Sequence, residues 1–159
     1  MSGRTTPATK LVAKMGIQHR LHEYTHDADA DSYGLEAASA LNMDGDRVFK
    51  TLIVKLVSGQ LVVAIVPVTK QVNLKAVAAV FQAKSAIMAD PSEAERSSGY
   101  VVGGISPLGQ RKVLSTAIDE TVLNYETVLV SGGRRGLMME IAPADLIKLC
   151  KATPAPISK

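Results

Sequence analysis

The chain has 159 residues, of which 47% are hydrophobic and only 4% aromatic, with no tryptophan. That length is enough for one domain, and a core so poor in aromatic residues has to be built from Val, Ile, Leu and Ala. The formal charge of +3 permits a polyanionic partner without requiring one, while a single cysteine excludes an internal disulfide framework or a cysteine metal cluster.

The sequence also lacks the signals of a membrane or secreted protein. No apolar run approaches the roughly 20 residues that span a bilayer. The first 14 residues contain no apolar segment typical of a signal peptide. We therefore expect a cytoplasmic protein with no membrane association.

The first quarter of the chain predicts two short helices around one strand. Thr6 suits the N-cap of a helix with Pro7 at its first position, and Gly16 suits its end. The pattern that follows predicts a strand at 18–25, a polar loop at 26–31 and a second helix at 34–41.

The clearest prediction is a hairpin formed by residues 47–56 and 60–66 around Ser58 and Gly59. Both arms are apolar on both faces, which indicates a position near the centre of a sheet. Lys50 is the exception, because an ammonium in an apolar strand must reach water or have a partner that needs its charge. From the residues alone, a solvated strand lysine and a functional lysine both remain open.

The second half of the chain alternates helices and strands. Asn73 and Asp90 are suitable N-caps for two helices. Strands are predicted at 85–89, 112–118, 127–130 and 137–141, and a last helix at 146–151. We expect one α/β domain over residues 1–159, with a core at about 6–150 and a loose tail at 151–159.

Two glycine-rich segments, 102–107 and 131–136, are candidates for ligand contact. Such glycines either form turns between strands or let backbone N–H groups approach an oxygen or phosphate. Neither segment matches a P-loop or the dinucleotide fingerprint. Together with the adjacent Arg134 and Arg135, they indicate a pocket for a charged substrate end.

Other catalytic chemistries have weak support. His19, His22 and His26 lack the spacing of a metal site, so no metal or other cofactor is expected. Cys150 lies on the apolar face of the last predicted helix and is interpreted as a core residue. No G-x-S-x-G nucleophile motif is present. An enzyme built from this sequence would work by positioning, by backbone donors and by groups of the substrate itself.

Several motifs, in this order and spacing, resemble the YbaK/EbsC family. The matching segments are Val48-Phe49-Lys50-Thr51-Leu52, Val66-Pro67, residues 98–109 around Gly103-Gly104-Ile105-Ser106-Pro107, and residues 131–137. The resemblance covers the chain from about Thr6 to Leu149. Members are free-standing trans-editing factors related to the editing domain inserted in bacterial prolyl-tRNA synthetases.

The resemblance implies a fold, a reaction and partners. The fold would be α/β, with a mixed, strongly curved, barrel-like β-sheet and surrounding helices. The activity would be removal of misattached cysteine from tRNA for proline, and more loosely from tRNA for cysteine, by cyclisation of the substrate's own thiol. Mischarged tRNA and a prolyl-tRNA synthetase would be the partners. Two alternatives remain open: deacylation of another small amino acid such as alanine, and a non-catalytic module that binds tRNA or a nucleotide.

The resemblance also assigns roles to residues. Lys50 and Thr51 would be catalytic, and Tyr24 and Tyr33 would line the substrate pocket. The remaining substrate-binding residues would come from the two glycine-rich segments: Gly103, Gly104, Ile105, Ser106, Pro107, Ser131 and Gly132. The sequence departs from the family pattern at Ser98, where threonine is usual, and at Met138-Met139, where polar residues are common. A methionine in the pocket would alter amino-acid selectivity.

Overall fold

A computed structural model describes residues 4–26 and 33–159 of the chain. This part forms a mixed α/β fold. Its α-helices are α1 (Pro7–Lys14), α2 (Tyr33–Ala40), α3 (Leu74–Val80), α4 (Pro91–Ser98) and α5 (Pro143–Cys150). Its strands are β1 (His19–Glu23), β2 (Phe49–Leu56), β3 (Leu61–Pro67), β4 (Ala86–Met88), β5 (Thr116–Asp119), β6 (Val128–Arg134), β7 (Leu137–Ile141) and β8 (Thr153–Ala155).

The described strands form two sheets. The larger has the order β4-β2-β3-β5-β8 and is mixed, because β2 pairs antiparallel with β3 and β4 while β5 pairs parallel with β3 and β8. The smaller is antiparallel, in the order β1-β7-β6. The sheets are linked by a bridge between Val48 and Leu129. Across the described residues they do not close into a barrel, so the barrel-like form implied by the resemblance is not confirmed.

The predicted central hairpin is confirmed by the burial of both its faces. One face contributes Phe49 and Ile53 to the largest core, which also takes in residues from α1, β6, β7 and α5. The other face contributes Val54 and Val62 to a second core that includes Val77 of α3. A strand buried on both faces must be apolar throughout, which explains the continuous run of hydrophobic residues.

The helix starts follow the predicted capping chemistry. Thr6 and Thr9 form a capping box, in which the Thr9 N–H donates to Thr6 Oγ1 at 3.1 Å and the Thr6 N–H donates to Thr9 Oγ1 at 2.8 Å. At α3, Asn73 Oδ1 accepts from the Ala76 N–H at 3.1 Å. These bonds satisfy donors that a helix leaves unpaired at its first turn.

Two strand predictions differ from the structure by about four residues at one end. The strand predicted at 112–118 begins only at Thr116. The strand predicted at 127–130 continues through the glycine-rich segment to Arg134, with a register irregularity between Ser131 and Arg134. Gly132 and Gly133 therefore lie in an irregular strand, and the turn is limited to the residues around Gly136.

The prediction of a loose tail at 151–159 is wrong. β8 pairs with β5, and Ile157 is fully buried. Asp119 Oδ1 accepts from the N–H groups of Ile157 at 3.1 Å and Ser158 at 3.0 Å. A three-residue strand that contains Pro154 is too short to show the alternating sequence pattern of a strand. Its position follows only from its pairing with the edge of β5 and from the hydrogen bonds that the residues after it make with the buried Asp119 carboxylate.

Two further points complete the fold. The loop predicted at 26–31 lies outside the described residues except for His26. Within the described ranges, no helix is long and apolar enough to cross a membrane.

Candidate functional site

A cavity of about 350 Å³ opens along one edge of β2. At one end of this edge, Val48 forms a bridge with Leu129 of β6. At the other end, residues 54–56 pair with β4. Between these two partners, residues 49–53 line the cavity. The site therefore lies where the two sheets diverge, at the only part of this edge of β2 that the described strands leave uncovered.

The cavity wall is mainly apolar with a few polar groups. The apolar side chains are those of Phe49, Leu52, Ile53, Met88, Ala89, Pro91, Ala94, Val102, Ile105 and Met138. The polar ones are those of Tyr24, Tyr33, Lys50, Thr51, Ser131 and Arg134, and the backbone of Gly34 and Gly103 completes the lining. A largely apolar cavity with a small set of polar groups is typical of small-molecule sites, which occupy roughly 300–1,000 Å³.

Lys50 is half-buried on β2, opposite Val66 of β3. Loss of solvent around the amine lowers the pKa of Lys50 from its ordinary value. No described carboxylate or carbonyl pairs with this amine. Its donors are therefore available to a ligand in the cavity.

Thr51 provides the second available polar group. The residue is 9% exposed, and its Oγ1 has no hydrogen-bonding partner among the described residues. A buried hydroxyl without a partner costs roughly 1–3 kcal/mol. A bound ligand or water that hydrogen-bonds Oγ1 would recover that cost.

The first glycine-rich segment contributes backbone to the cavity. Gly103 has φ +90°, and a Cβ there would lie 2.7 Å from Arg135 Nε. A Cβ on Gly104 would lie 2.8 Å from the Arg134 Cα. Only glycine fits at either position, because the segment packs directly against the end of β6.

The predicted residues of this segment divide into two groups. Gly103 and Ile105 line the cavity, whereas Gly104, Ser106 and Pro107 do not. Ser106 is fully buried, and its Oγ accepts from the Leu108 N–H at 3.1 Å, so it shapes the segment from inside.

The second glycine-rich segment contributes Ser131 and Arg134 to the lining, but not Gly132. Ser131 Oγ accepts from the Gly133 N–H at 3.1 Å. A Cβ on Gly132 would lie 2.7 Å from Cγ of Leu137, and the Gly132 carbonyl accepts from the Thr6 hydroxyl at 2.5 Å. Gly132 therefore contributes to packing and is not part of the cavity wall.

Both predicted tyrosines lie at the cavity. Tyr24 follows β1, its N–H donates to the Gly136 carbonyl at 3.0 Å, and burial raises the pKa of its hydroxyl. Tyr33 begins α2, and its ring is tilted against His26 at a centroid distance of 5.6 Å.

Sequence reasoning missed the wall formed by Met88, Ala89, Pro91 and Ala94. These residues carry no chemical signal, since small apolar side chains look the same in a core and in a cavity wall. Of the two methionines that depart from the family pattern, Met138 lines the cavity and Met139 is fully buried in the core.

The lining residues that the structure describes include no Asp, Glu, His or Cys. His22 instead pairs with Glu140, and His26 with Glu36, each at 2.8 Å. The described residues include no group of three or more His, Cys, Asp or Glu side chains that could hold a metal ion. Cys150 packs on the main core, where burial raises the pKa of its thiol to about 12 and keeps it neutral.

Comparison with known proteins agrees with this geometry. Residues 28–149 match the family model for the aminoacyl-tRNA editing domain. A relative from Enterococcus faecalis, EbsC, provisionally named a Cys-tRNA(Pro)/Cys-tRNA(Cys) deacylase, is 29% identical over 153 residues, covering 96% of this chain and 93% of its own.

Solved structures share the fold over almost the whole chain. One, provisionally described as a trans-editing enzyme for prolyl-tRNA synthetase, has a TM-score of 0.86 at 21% identity, covering 100% of this chain and 99% of its own. A hypothetical protein has the same TM-score of 0.86 at 24% identity, with coverages of 97% and 100%. The chain therefore belongs to the aminoacyl-tRNA editing domain family, which includes YbaK and EbsC.

Proposed function

We propose that this protein removes misattached cysteine from tRNA for proline, and that it also releases cysteine from tRNA for cysteine. Family membership supports the editing of aminoacyl-tRNA, and the name of the Enterococcus relative supports cysteine as the amino acid. One structural observation carries the proposal further. The cavity contains an unpaired ammonium and an unpaired hydroxyl, while its described lining contains no Asp, Glu, His or Cys.

The size of the cavity supports an aminoacyl ester as the bound group. At about 350 Å³ it lies near the lower end for small-molecule sites. It would admit a small amino acid with part of the terminal ribose, while the rest of the tRNA stays outside. Contact with the phosphates would be electrostatic and would weaken as salt is added.

Lys50 would donate to the ester carbonyl and stabilise the negative charge that develops on its oxygen. Preorganised donors of this kind are commonly the largest contribution to acyl transfer. We do not assign Lys50 as a general base, because a lysine that starts near pKa 10.4 would need a shift of several units. Thr51 would hydrogen-bond the aminoacyl group through its unpaired hydroxyl.

The substrate's own thiol would be the nucleophile. Its sulfur forms a bond to the ester carbonyl carbon and loses its proton to solvent. The bond from that carbon to the ribose oxygen breaks, and the oxygen takes up a proton as tRNA is released. The product is a cyclic thiolactone, and the step consumes no water and requires no metal ion.

A prolyl-tRNA synthetase would present the substrate. The chain's formal charge of +3 is modest for an independent tRNA binder. A solved structure with the same fold is described as a trans-editing enzyme for that synthetase. Addition of the synthetase should therefore raise the rate at low substrate concentration.

The test is multiple-turnover deacylation of tRNA for proline charged with cysteine, alanine or serine, with the released product identified by mass spectrometry. We expect more than one equivalent of cysteinyl-tRNA to be consumed and thiolactone to appear first. Faster release of alanine or serine would show that the preferred substrate carries another small amino acid instead of cysteine. Binding without turnover on any of the three would identify a non-catalytic module and contradict the proposal.

A further inference from the structure

The sequence places Arg134 and Arg135 together at a pocket for a charged substrate end, but the structure gives the two side chains different surroundings. Arg134 lines the cavity, and its Nη2 donates to Glu23 Oε2 at 3.3 Å. Arg135 is not part of the lining. Its Nε and Nη2 both donate to the Val102 carbonyl, at 2.9 and 2.6 Å.

Arg135 also stacks on an aromatic ring. Its Cζ lies 4.6 Å from the centroid of the Tyr33 ring, within the range of a cation–π contact. No described carboxylate pairs with Arg135, so its charge faces one carbonyl dipole and one ring face. A planar guanidinium donates from two nitrogens to one carbonyl while its face stacks on a ring, a geometry that the single nitrogen of a lysine does not reproduce.

These contacts join separate parts of the cavity wall. Val102 and Gly103 belong to the first glycine-rich segment, and Tyr33 begins α2. A Cβ on Gly103 would lie 2.7 Å from Arg135 Nε and 2.9 Å from Cδ2 of Tyr33, so all three groups are in close contact. The two segments are about 70 residues apart in sequence, and Arg135 contacts both.

We propose that Arg135 is a positioning residue that holds the Val102–Gly103 backbone and the Tyr33 ring in place in the cavity wall. We call Arg135, Val102 and Tyr33 the arginine clamp. It acts on the aminoacyl end of the substrate through the lining it fixes, and it does not bind tRNA phosphates. This inference rests on the proposed deacylation for its kinetic readout, but its structural readout is independent.

The kinetic test compares Arg135→Ala and Arg135→Lys with Arg20→Ala, which removes the same charge from an exposed position on β1. Each variant is assayed on cysteinyl-tRNA for proline and on the cysteine ester of adenosine, which carries no phosphate. We expect both Arg135 variants to lose about tenfold to a hundredfold in kcat/KM, by the same factor on both substrates. Arg20→Ala should stay near wild type on the adenosine ester.

Other kinetic outcomes would overturn the inference. A loss confined to tRNA and dependent on salt would make Arg135 a phosphate-binding residue. Full rescue by lysine would show that charge alone suffices. Combining Arg135→Lys with Tyr33→Leu should cost at most about threefold more than the worse single variant, since both break one clamp, whereas multiplied losses would show independent roles.

The structural test is amide hydrogen exchange across residues 101–104, read in the full-length protein without substrate. In the wild type the Gly104 N–H donates to the Val101 carbonyl at 2.9 Å, and this turn should be protected. Both Arg135 variants should exchange faster there while Arg20→Ala does not. Unchanged exchange would contradict the clamp, whereas a wild type that exchanges as expected but lacks deacylase activity would contradict only the proposed function.

Discussion

The two polar groups on β2 show how burial sets the chemistry of single residues. Lys50 and Thr51 are neighbours, yet one has a solvent-depleted amine and the other a hydroxyl with no partner. Neither group has a partner among the described residues, and unpaired buried polar groups cost free energy. Such a cost at a cavity is typical of groups that a ligand completes.

Replacing Thr51 with valine should separate this functional cost from stability. The change removes the unpaired Oγ1 and keeps the shape of the side chain. We expect the free energy of unfolding in urea to stay the same or rise by about 1 kcal/mol, while deacylation falls by about tenfold or more.

Ser97→Ala is the matched control for that variant. Ser97 Oγ is also buried without a partner among the described residues, but Ser97 does not line the cavity. The free energy of unfolding of Ser97→Ala should change by a similar amount to that of Thr51→Val, without loss of deacylase activity. A Thr51→Val protein with full activity would remove Thr51 from the site.

Gly103→Ala should disturb the cavity wall more than backbone strain alone explains. Gly103 has φ +90°, and the added Cβ would meet Arg135 and Tyr33 within 3.0 Å. Gly16 has φ +66° with nothing within 4 Å of its Cβ position, so Gly16→Ala measures strain alone. We expect each change to lower the free energy of unfolding by about 1 kcal/mol or more, but only Gly103→Ala to lower kcat/KM. Equal activity in the two variants would contradict the close packing at Gly103.

The residue assignments depended on the type of signal available. Periodicity shows that a lysine stands in a buried strand, but a solvated lysine gives the same pattern. The family resemblance was needed to point at Lys50, and the structure then placed it in the cavity lining. Ser106 shows the reverse, because its motif position predicted contact and its side chain is fully buried.

A network of hydrogen bonds around Glu140 on β7 connects the smaller sheet to the residues just before β2. Glu140 Oε2 accepts from Thr127 Oγ1 at 2.6 Å and from Arg47 Nη2 at 3.2 Å, and Oε1 contacts His22 Nε2 at 2.8 Å. The hydrogen bond from Thr127, followed by that from His22, lowers the pKa of the Glu140 carboxyl from its ordinary value. Its stabilising effect is therefore fully present above that ordinary value and is lost as pH falls through the lowered value.

Glu140→Gln should lower the free energy of unfolding by about 1–3 kcal/mol at neutral pH. The deficit should shrink as pH falls below the ordinary pKa of a glutamate and through the lowered pKa of Glu140, because the wild-type carboxyl then becomes protonated. Glu126→Gln, at an exposed position, removes the same charge and should show neither effect. A deficit that is constant with pH would mean that the ionised form of Glu140 is not what stabilises the sheet.

Element boundaries were predictable where capping and periodicity agreed. Thr6 and Asn73 cap the helices they were expected to cap. The glycine-rich end of β6 was interpreted as a turn because glycine is common in turns. The structure shows instead that Gly132 is glycine because a Cβ would collide with Leu137. Contacts between segments distant in sequence determine where such a strand ends, and a local sequence pattern does not predict those contacts.

At the scale of the whole molecule, the chain end is part of the large sheet. Ile157 is fully buried in the core on the α3 side, and the backbone of Lys159 exchanges hydrogen bonds with that of Gln71 at 3.0 and 2.8 Å. The order of strands in the sheet depends on these long-range pairings. That is why the central hairpin was predictable and the last strand was not.

Ile157→Ala should therefore behave as a core mutation. We expect the free energy of unfolding to fall by about 2–5 kcal/mol, measured by urea denaturation. Val113→Ala, at a residue that is 90% exposed, should change it by less than about 0.5 kcal/mol. Similar small losses in both variants would show that the chain end does not contribute to the core.

Deacylation of cysteinyl-tRNA for proline by wild type and by Lys50→Ala tests whether the Lys50 amine in the cavity is needed for the reaction. We expect multiple turnover by the wild type and a loss of about a hundredfold or more in the variant, which should fold with an unchanged urea midpoint. Lys55→Ala, on the same strand but outside the cavity lining, is the control and should retain activity. Full activity in Lys50→Ala would show that the Lys50 amine does not take part in deacylation.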